Sequence, residues 1–220
     1  MGSLRGRQRR LEHFGKRAEA FARDIYRWKN VTEREIDGEK VRVFIGGNGK
    51  PLFMERVRHD VCIRIGLGKH RRLVFKQSAH ELKRNLPGIR KLESAFKWRE
   101  KNPKKRAKHF FLESLAASAK HGVQEYVDRP TLSELLNYLQ MKKTGIKKPI
   151  TKGEALRCKR LLGQFPGITL EELRELEREF DLFCKEELPH QSVAFKNVAI
   201  LGQRTGRTGD GRIRIALVDL

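Results

Sequence analysis

Between residues 78 and 172 one local pattern recurs four times: Ser78-Ala-His-Glu81, Thr131-Leu-Ser-Glu134, Thr151-Lys-Gly-Glu154 and Thr169-Leu-Glu-Glu172. Each is a hydroxyl residue followed three positions later by a glutamate. At the start of a helix such a hydroxyl accepts a bond from an otherwise unpaired backbone N–H. The glutamate reaches back to the N–H of the capping residue. The middle of the chain therefore carries its helix starts in its own sequence. Asn102-Pro103 offers a fifth, with proline at the first helical position. The pattern predicts helices near 79–86, 88–101, 103–121, 132–142, 152–164 and 170–188. Pro87, Gly122, Pro130, Gly145, Pro149, Pro166 and Pro189 punctuate them.

The two ends have other periods. Leu11, Phe14, Ala18, Phe21, Ile25 and Trp28 recur at steps of three and four, which predicts a helix over 4–29. From residue 40 to 77 the period falls to two. Val41, Val43 and Ile45 lead into the Gly46-Gly47-Asn48-Gly49 turn. Leu52–Val57, Val61–Ile65 and Arg72–Lys76 follow as further strands. This is a four-stranded antiparallel meander with one apolar face, and Arg42, Arg64 and Lys76 fall on the other. At the C-terminus Ser192–Leu201 and Arg212–Val218 form a hairpin around a Gly-rich tip, Gly202–Gly211. The expected fold is α+β and predominantly helical: an N-terminal helix and short antiparallel meander, a central helical region and a C-terminal β-hairpin. The division falls at 1–77 and 78–220, or the whole is one continuous domain if the hairpin pairs with the meander.

Charge narrows the function. The 220 residues hold 49 Lys and Arg against 27 Asp and Glu, a net +22. That is far beyond what solubility needs, and a chain so charged repels itself unless a polyanion or internal carboxylates offset it. Residues 78–122 carry twelve basic side chains and four acidic ones, whereas residues 169–191 carry three and eight. Nucleic acid is the expected partner. A membrane is not expected, because there is no long apolar run and no basic helix with a clean aromatic and leucine face. No apolar leader stands near the N-terminus. Cys62, Cys158 and Cys184 are odd in number and widely spaced, against a disulfide framework or a cysteine zinc site. The expected setting is intracellular, cytoplasmic (nucleoid) or nuclear, and not secreted.

The expected phosphate-binding residues are Lys83, Arg84, Arg90, Lys91, Lys97, Arg99, Lys101, Lys104, Lys105, Arg106 and Lys108 on the central helices, with Phe96, Trp98, His109 and Phe110 interleaved. Arg9 and Arg10 of the N-terminal arginine cluster (Arg5, Arg7, Arg9, Arg10) assist, as do Arg204, Arg207 and Arg212 of the hairpin. A helix-turn-helix survives only as a loose variant, helices 132–142 and 152–164, with Lys152, Arg157, Lys159 and Arg160 on the reading helix. The helix at 170–188 is acidic and would be repelled from a duplex. Its Leu173, Leu176, Phe180 and Phe183 form an apolar stripe, expected to be core, and its carboxylates can pair with basic segments or mark a surface for self-association or a protein partner.

Signals for catalysis are thin. Lys50 follows glycines, but Phe44 stands where a phosphate loop needs its first glycine and Pro51 where it needs Ser or Thr. Glu33, Glu35, Asp37 and Glu39 form the one acidic cluster in the basic part that would suit a metal nuclease. No cofactor or metal is expected. The leading expectation is a non-enzymatic nucleic-acid-binding protein with duplex DNA slightly favoured over RNA, since a helical middle and an arm-like hairpin suit duplex grooves. The alternatives are an RNA-binding nucleoprotein or ribonucleoprotein component, and a metal-dependent nuclease or recombinase.

Overall fold

The computed structural model describes residues 4–9, 11–12, 31–36, 39–45, 51–56, 62–67, 71–76, 79–125, 127, 129–145, 150–189, 197–204 and 209–218. The fold is α+β. The chain divides into two units, Met1–Leu86 with Leu115–Tyr126, and Pro87–Ser114 with Val127–Leu220.

The first unit is built on a seven-stranded antiparallel sheet. Its strands are β1 (Val31–Ile36), β2 (Glu39–Ile45), β3 (Pro51–Arg56), β4 (Cys62–Leu67), β5 (Arg71–Lys76), β7 (Ala117–Ser118) and β8 (Val123–Glu125), in the order β1-β2-β3-β4-β5-β8-β7. The expected meander is present and extended at both edges. β1 contains Glu33 and Glu35, which the register sets opposite Arg42 and Lys40; Asp37 lies outside the described residues. The register also corrects the expected basic face. Arg42 is in line with Glu55 and Ile63, whereas Arg64 and Lys76 fall in the alternate rows, so the three do not share one pleat parity.

Residues 4–9 and 11–12 are helical, and Leu11 is buried. Residues 13–29 of the expected N-terminal helix lie outside the described residues. The Gln8 amide donates to the Ala117 carbonyl at 2.8 Å and accepts from the Ala117 N–H at 3.2 Å. One side chain thus satisfies both backbone groups of a residue in β7, as a neighbouring strand would. Arg7 pairs with Glu125 at 2.8 Å, so this member of the arginine cluster is tied down.

The second unit combines helices with a three-stranded sheet. Helix α1 (Ala79–Glu100) contributes Pro87–Glu100 to it. The helix runs unbroken through Pro87, where two helices were expected. A proline removes one backbone bond but does not stop a helix whose apolar stripe is anchored. Here Leu82, Ile89, Leu92 and Phe96 are buried and Pro87 is on the exposed side.

The helix expected at 103–121 is absent. A single 3₁₀ turn (Pro103–Lys105) is followed by β6 (Phe110–Glu113), then by β7 and β8 of the first unit. The reasons are local and tertiary together. Asn102 makes no side-chain capping bond, and the first turn has no acid but holds Lys104 and Lys105. Cations at a helix N-terminus oppose its dipole. Phe110 and Leu112 are instead buried alternately as strand residues.

β6 pairs in parallel with β10 (Ile213–Leu217), which pairs antiparallel with β9 (Val198–Gln203). The C-terminal hairpin therefore joins β6; among the described residues it forms a sheet separate from the meander. Its tip, residues 205–208 with Arg207, lies outside the described residues. Gly202, at φ 137°, sits beneath the Phe165 ring, where a Cβ would collide with Cε2.

Helices α2 (Leu132–Thr144), α3 (Lys152–Gln164) and α4 (Leu170–Glu187) complete the unit. All three open on the expected capping box, with both arms formed at Thr131, Thr151 and Thr169. Ser78 lies outside the described residues. Gly145 ends α2 in the left-handed conformation at φ 71°, its N–H bonded to the Met141 carbonyl.

The core of this unit is aromatic. Phe110 is 0% exposed, stacked on Phe96 at 5.5 Å between ring centroids and edge-on to Phe180 at 5.5 Å. Phe183 meets Phe96, Phe110 and Phe180. Leu173, Leu176, Phe180 and Phe183, the apolar stripe of α4, are all buried. No helix among the described residues is long and apolar enough to cross a membrane.

Candidate nucleic-acid interface

The second unit carries its densest charge on the segment from the last turn of α1 to β6. Seven of the twelve residues from Lys97 to Lys108 are basic and only Glu100 is acidic. Turn bonds shape the segment. The Lys101 N–H donates to the Trp98 carbonyl, Asn102 to Arg99, and Lys105 to Asn102, at 2.9–3.1 Å. This reversal brings the Lys105 ammonium to 5.0 Å from the centroid of the Trp98 ring.

The acidic helix holds the segment at both ends. Arg99 pairs with Glu186 and Glu187, each at 2.6 Å, and lies 4.9 Å from the Phe183 ring. Farther on, the backbone N–H groups of Lys108 and His109 donate to the two carboxylate oxygens of Glu179 at 2.8 Å. The acidic stretch that looked repulsive to nucleic acid is thus the internal counter-charge of the basic one. Glu179 was not expected as an anchor, and no spacing in the sequence points to it.

A second carboxylate hub sits at the base of the hairpin. Arg212, 4% exposed, forms a two-pronged pair with Glu100 at 2.6 and 2.8 Å. Its Nε donates to Asp210 at 2.6 Å, and it also donates to the carbonyls of Ala107 and Phe110. Arg204 reaches the same Asp210 oxygen at 3.0 Å, and Arg106 reaches it at 3.4 Å. Arg106 also pairs with Glu100 at 3.3 Å. The Arg204 guanidinium lies 4.4 Å from the Phe111 ring and that of Arg212 lies 5.3 Å from it.

These pairs set the charge states. Burial pushes the Glu100 carboxyl up, but hydrogen bonds and charge from Arg212, with Arg106 beyond, outweigh it and hold the group below its ordinary value. Asp210 behaves alike: burial raises it, and Arg212, then Arg204, bring it below the ordinary range. Burial lowers the Arg212 guanidinium while the bonds to Glu100 and Asp210 raise it, with a net rise.

The expected site residues therefore separate by chemistry. Arg212 is a buried structural cation and leaves the phosphate-binding set, because a side chain 4% exposed and shared by two carboxylates has no face for a phosphate. Arg99, Arg106 and Arg204 are engaged by carboxylates. Arg90 pairs with Glu93 at 2.5 Å, one turn along the same helix. Lys91, Lys97, Lys101, Lys104, Lys105 and Lys108 are exposed, and no carboxylate among the described residues pairs with them. Lys83 and Arg84 are exposed on the α1 turns that belong to the first unit, and Arg9 is exposed on the N-terminal helical segment. Arg10 and Arg207 lie outside the described residues.

The interleaved aromatic residues separate too. Phe96 and Phe110 are core, whereas Trp98 is 54% exposed beside the lysines. The reading helix of the loose helix-turn-helix loses one of its four basic residues to the core. Arg157 is buried against Glu134 at 3.0 Å, on the core side of α3, while Lys152, Lys159 and Arg160 are exposed.

Among the described residues no group of three or more His, Cys, Asp or Glu side chains is placed to hold a metal ion. Burial pushes the thiols of Cys158 and Cys184 up to about 12, with nearby Glu134 and Asp181 adding to it, so both stay protonated near neutrality and neither is a ready nucleophile. Comparison with protein-family models, curated proteins and solved structures returned no match.

Proposed function

We propose that this protein binds nucleic acid through its phosphate backbone, with Lys97, Lys101, Lys104, Lys105 and Lys108 as the principal contacts. One observation carries the reading: five exposed lysines stand on the short segment from the last turn of α1 through a hydrogen-bonded turn to Lys108, while the arginines between and beside them are taken up by carboxylates. Unpaired ammonium groups on a fixed frame are what a polyphosphate needs in order to release its own counterions. The net charge of +22 adds a long-range field of the same sign.

The preference for duplex DNA loses part of its basis, since it rested on a helical middle that includes 103–121. Nothing in lysine–phosphate pairing separates DNA from RNA. A nucleic-acid partner of either kind assigns the protein's work to the cytoplasm, nucleoid or nucleus.

The test is affinity against salt. With a labelled oligonucleotide, log K is expected to fall linearly with log salt concentration, losing on the order of 10³-fold between about 50 and 200 mM. A flat dependence would sink the reading.

A further inference from the structure

We infer that Trp98 is a stacking seat for an unpaired base, which makes single-stranded nucleic acid the preferred ligand of the lysine segment. The inference rests on the phosphate-binding reading and deepens it. A tryptophan carries the largest apolar surface of any side chain and is usually well buried. This one is 54% exposed, the only large aromatic residue so exposed among the described residues. The core has no shortage of aromatic partners nearby: Phe96, two positions earlier on the same helix, is buried against Phe110 and Phe183. Trp98 instead lies on the outer side of α1, one residue from Lys97 and three from Lys101.

The turn at 101–105 then brings Lys105 back over the ring, 5.0 Å from its centroid. That contact does two things. It restrains the ring by cation–π attraction, which lowers the ordering cost of stacking on it. It also sets an ammonium group over one face of the ring, so that a base on the other face and its neighbouring phosphate on Lys105, Lys101 or Lys104 are met together. Alternating bases and phosphates are the repeat of a nucleic-acid strand. Every base offers a π-face, so such a seat tolerates any sequence. A duplex keeps those faces in its own stack and can engage only the lysines. A single strand can engage both.

Affinities for a labelled oligothymidylate of about 15 nucleotides and for a duplex of equal length test this, using the full chain and its Trp98→Ala and Trp98→Phe variants. Trp98→Ala is expected to weaken single-strand binding about tenfold and duplex binding less than twofold, and Trp98→Phe to recover most of the loss. If the wild type binds both ligands and Trp98→Ala changes neither, or weakens both alike, the stacking seat is overturned while phosphate binding stands. If the wild type binds neither ligand at low salt, the phosphate-binding reading falls and the seat with it.

Discussion

Phe110→Ala is expected to lower stability by about 3–5 kcal/mol, read as a shift of the denaturation midpoint in urea. The ring is 0% exposed and is the meeting point of three others: Phe96 at 5.5 Å, Phe180 at 5.5 Å and Phe183 at 5.8 Å. Truncation removes the transfer energy of the ring and leaves a cavity between a strand and two helices that are fixed by their own hydrogen bonds, so collapse around it is limited. The same change at Leu182, which is 60% exposed on the outer side of α4, is expected to cost less than about 0.5 kcal/mol. Equal losses at both positions would contradict the aromatic core described for this unit.

Arg212→Met is the second large effect. The arginine is buried, and it holds Glu100 with two bonds and Asp210 with a third. Removing one partner of a buried pair strands the other charge, a loss of about 3–5 kcal/mol. The lower end applies here, because Arg106 and Arg204 remain beside the two carboxylates. The pH dependence follows from the directions of the shifts. Glu100 and Asp210 both titrate below their ordinary values of 4.5 and 3.8 in the folded protein. A carboxyl lowered by folding contributes stability that is full above its ordinary value and is lost as pH falls through the folded one. The gap between wild type and Arg212→Met is therefore expected to be widest near neutrality and to close below about pH 4. A gap independent of pH would mean that Arg212 acts by packing alone.

Some of this was legible in the sequence and some was not. The capping boxes at Thr131, Thr151 and Thr169 were, because each is a local arrangement that closes within four residues and needs no tertiary partner. The stripe of α4 was read correctly as core for a related reason: its spacing is a property of one helix. The segment 103–121 was misread. Its proline looked like a helix start, while the lysines in the turn and the pairing of Phe110–Glu113 with a strand a hundred residues away decided otherwise. No local rule reports that partner. Pro87 was overweighted as a break, since burial of Leu82, Ile89, Leu92 and Phe96 outweighs one missing bond.

The candidate site shows the same division. That residues 97–108 are basic was plain; that lysines and arginines would separate was not, although the chemistry favours it. A guanidinium fork matches a carboxylate in two places, and a compact ammonium does not. With an acidic helix in the same unit, the arginines were the natural choice for internal pairing and the lysines the natural remainder. Asp210, the lone acid in the Gly202–Gly211 stretch, was a signal that those arginines had a carboxylate to share.

The most direct measurement compares the salt dependence of oligonucleotide binding in the wild type and in a variant with Lys97, Lys101, Lys104, Lys105 and Lys108 all changed to glutamine. These side chains are exposed and make no ion pair with the described residues, so the fold is expected to survive, with self-repulsion reduced. The expected slope of log K against log salt is shallower by about 3.5–4.5, at ~0.7–0.9 for each of the five phosphate contacts removed. A variant that keeps the wild-type slope and affinity would contradict it and move the site elsewhere on the chain.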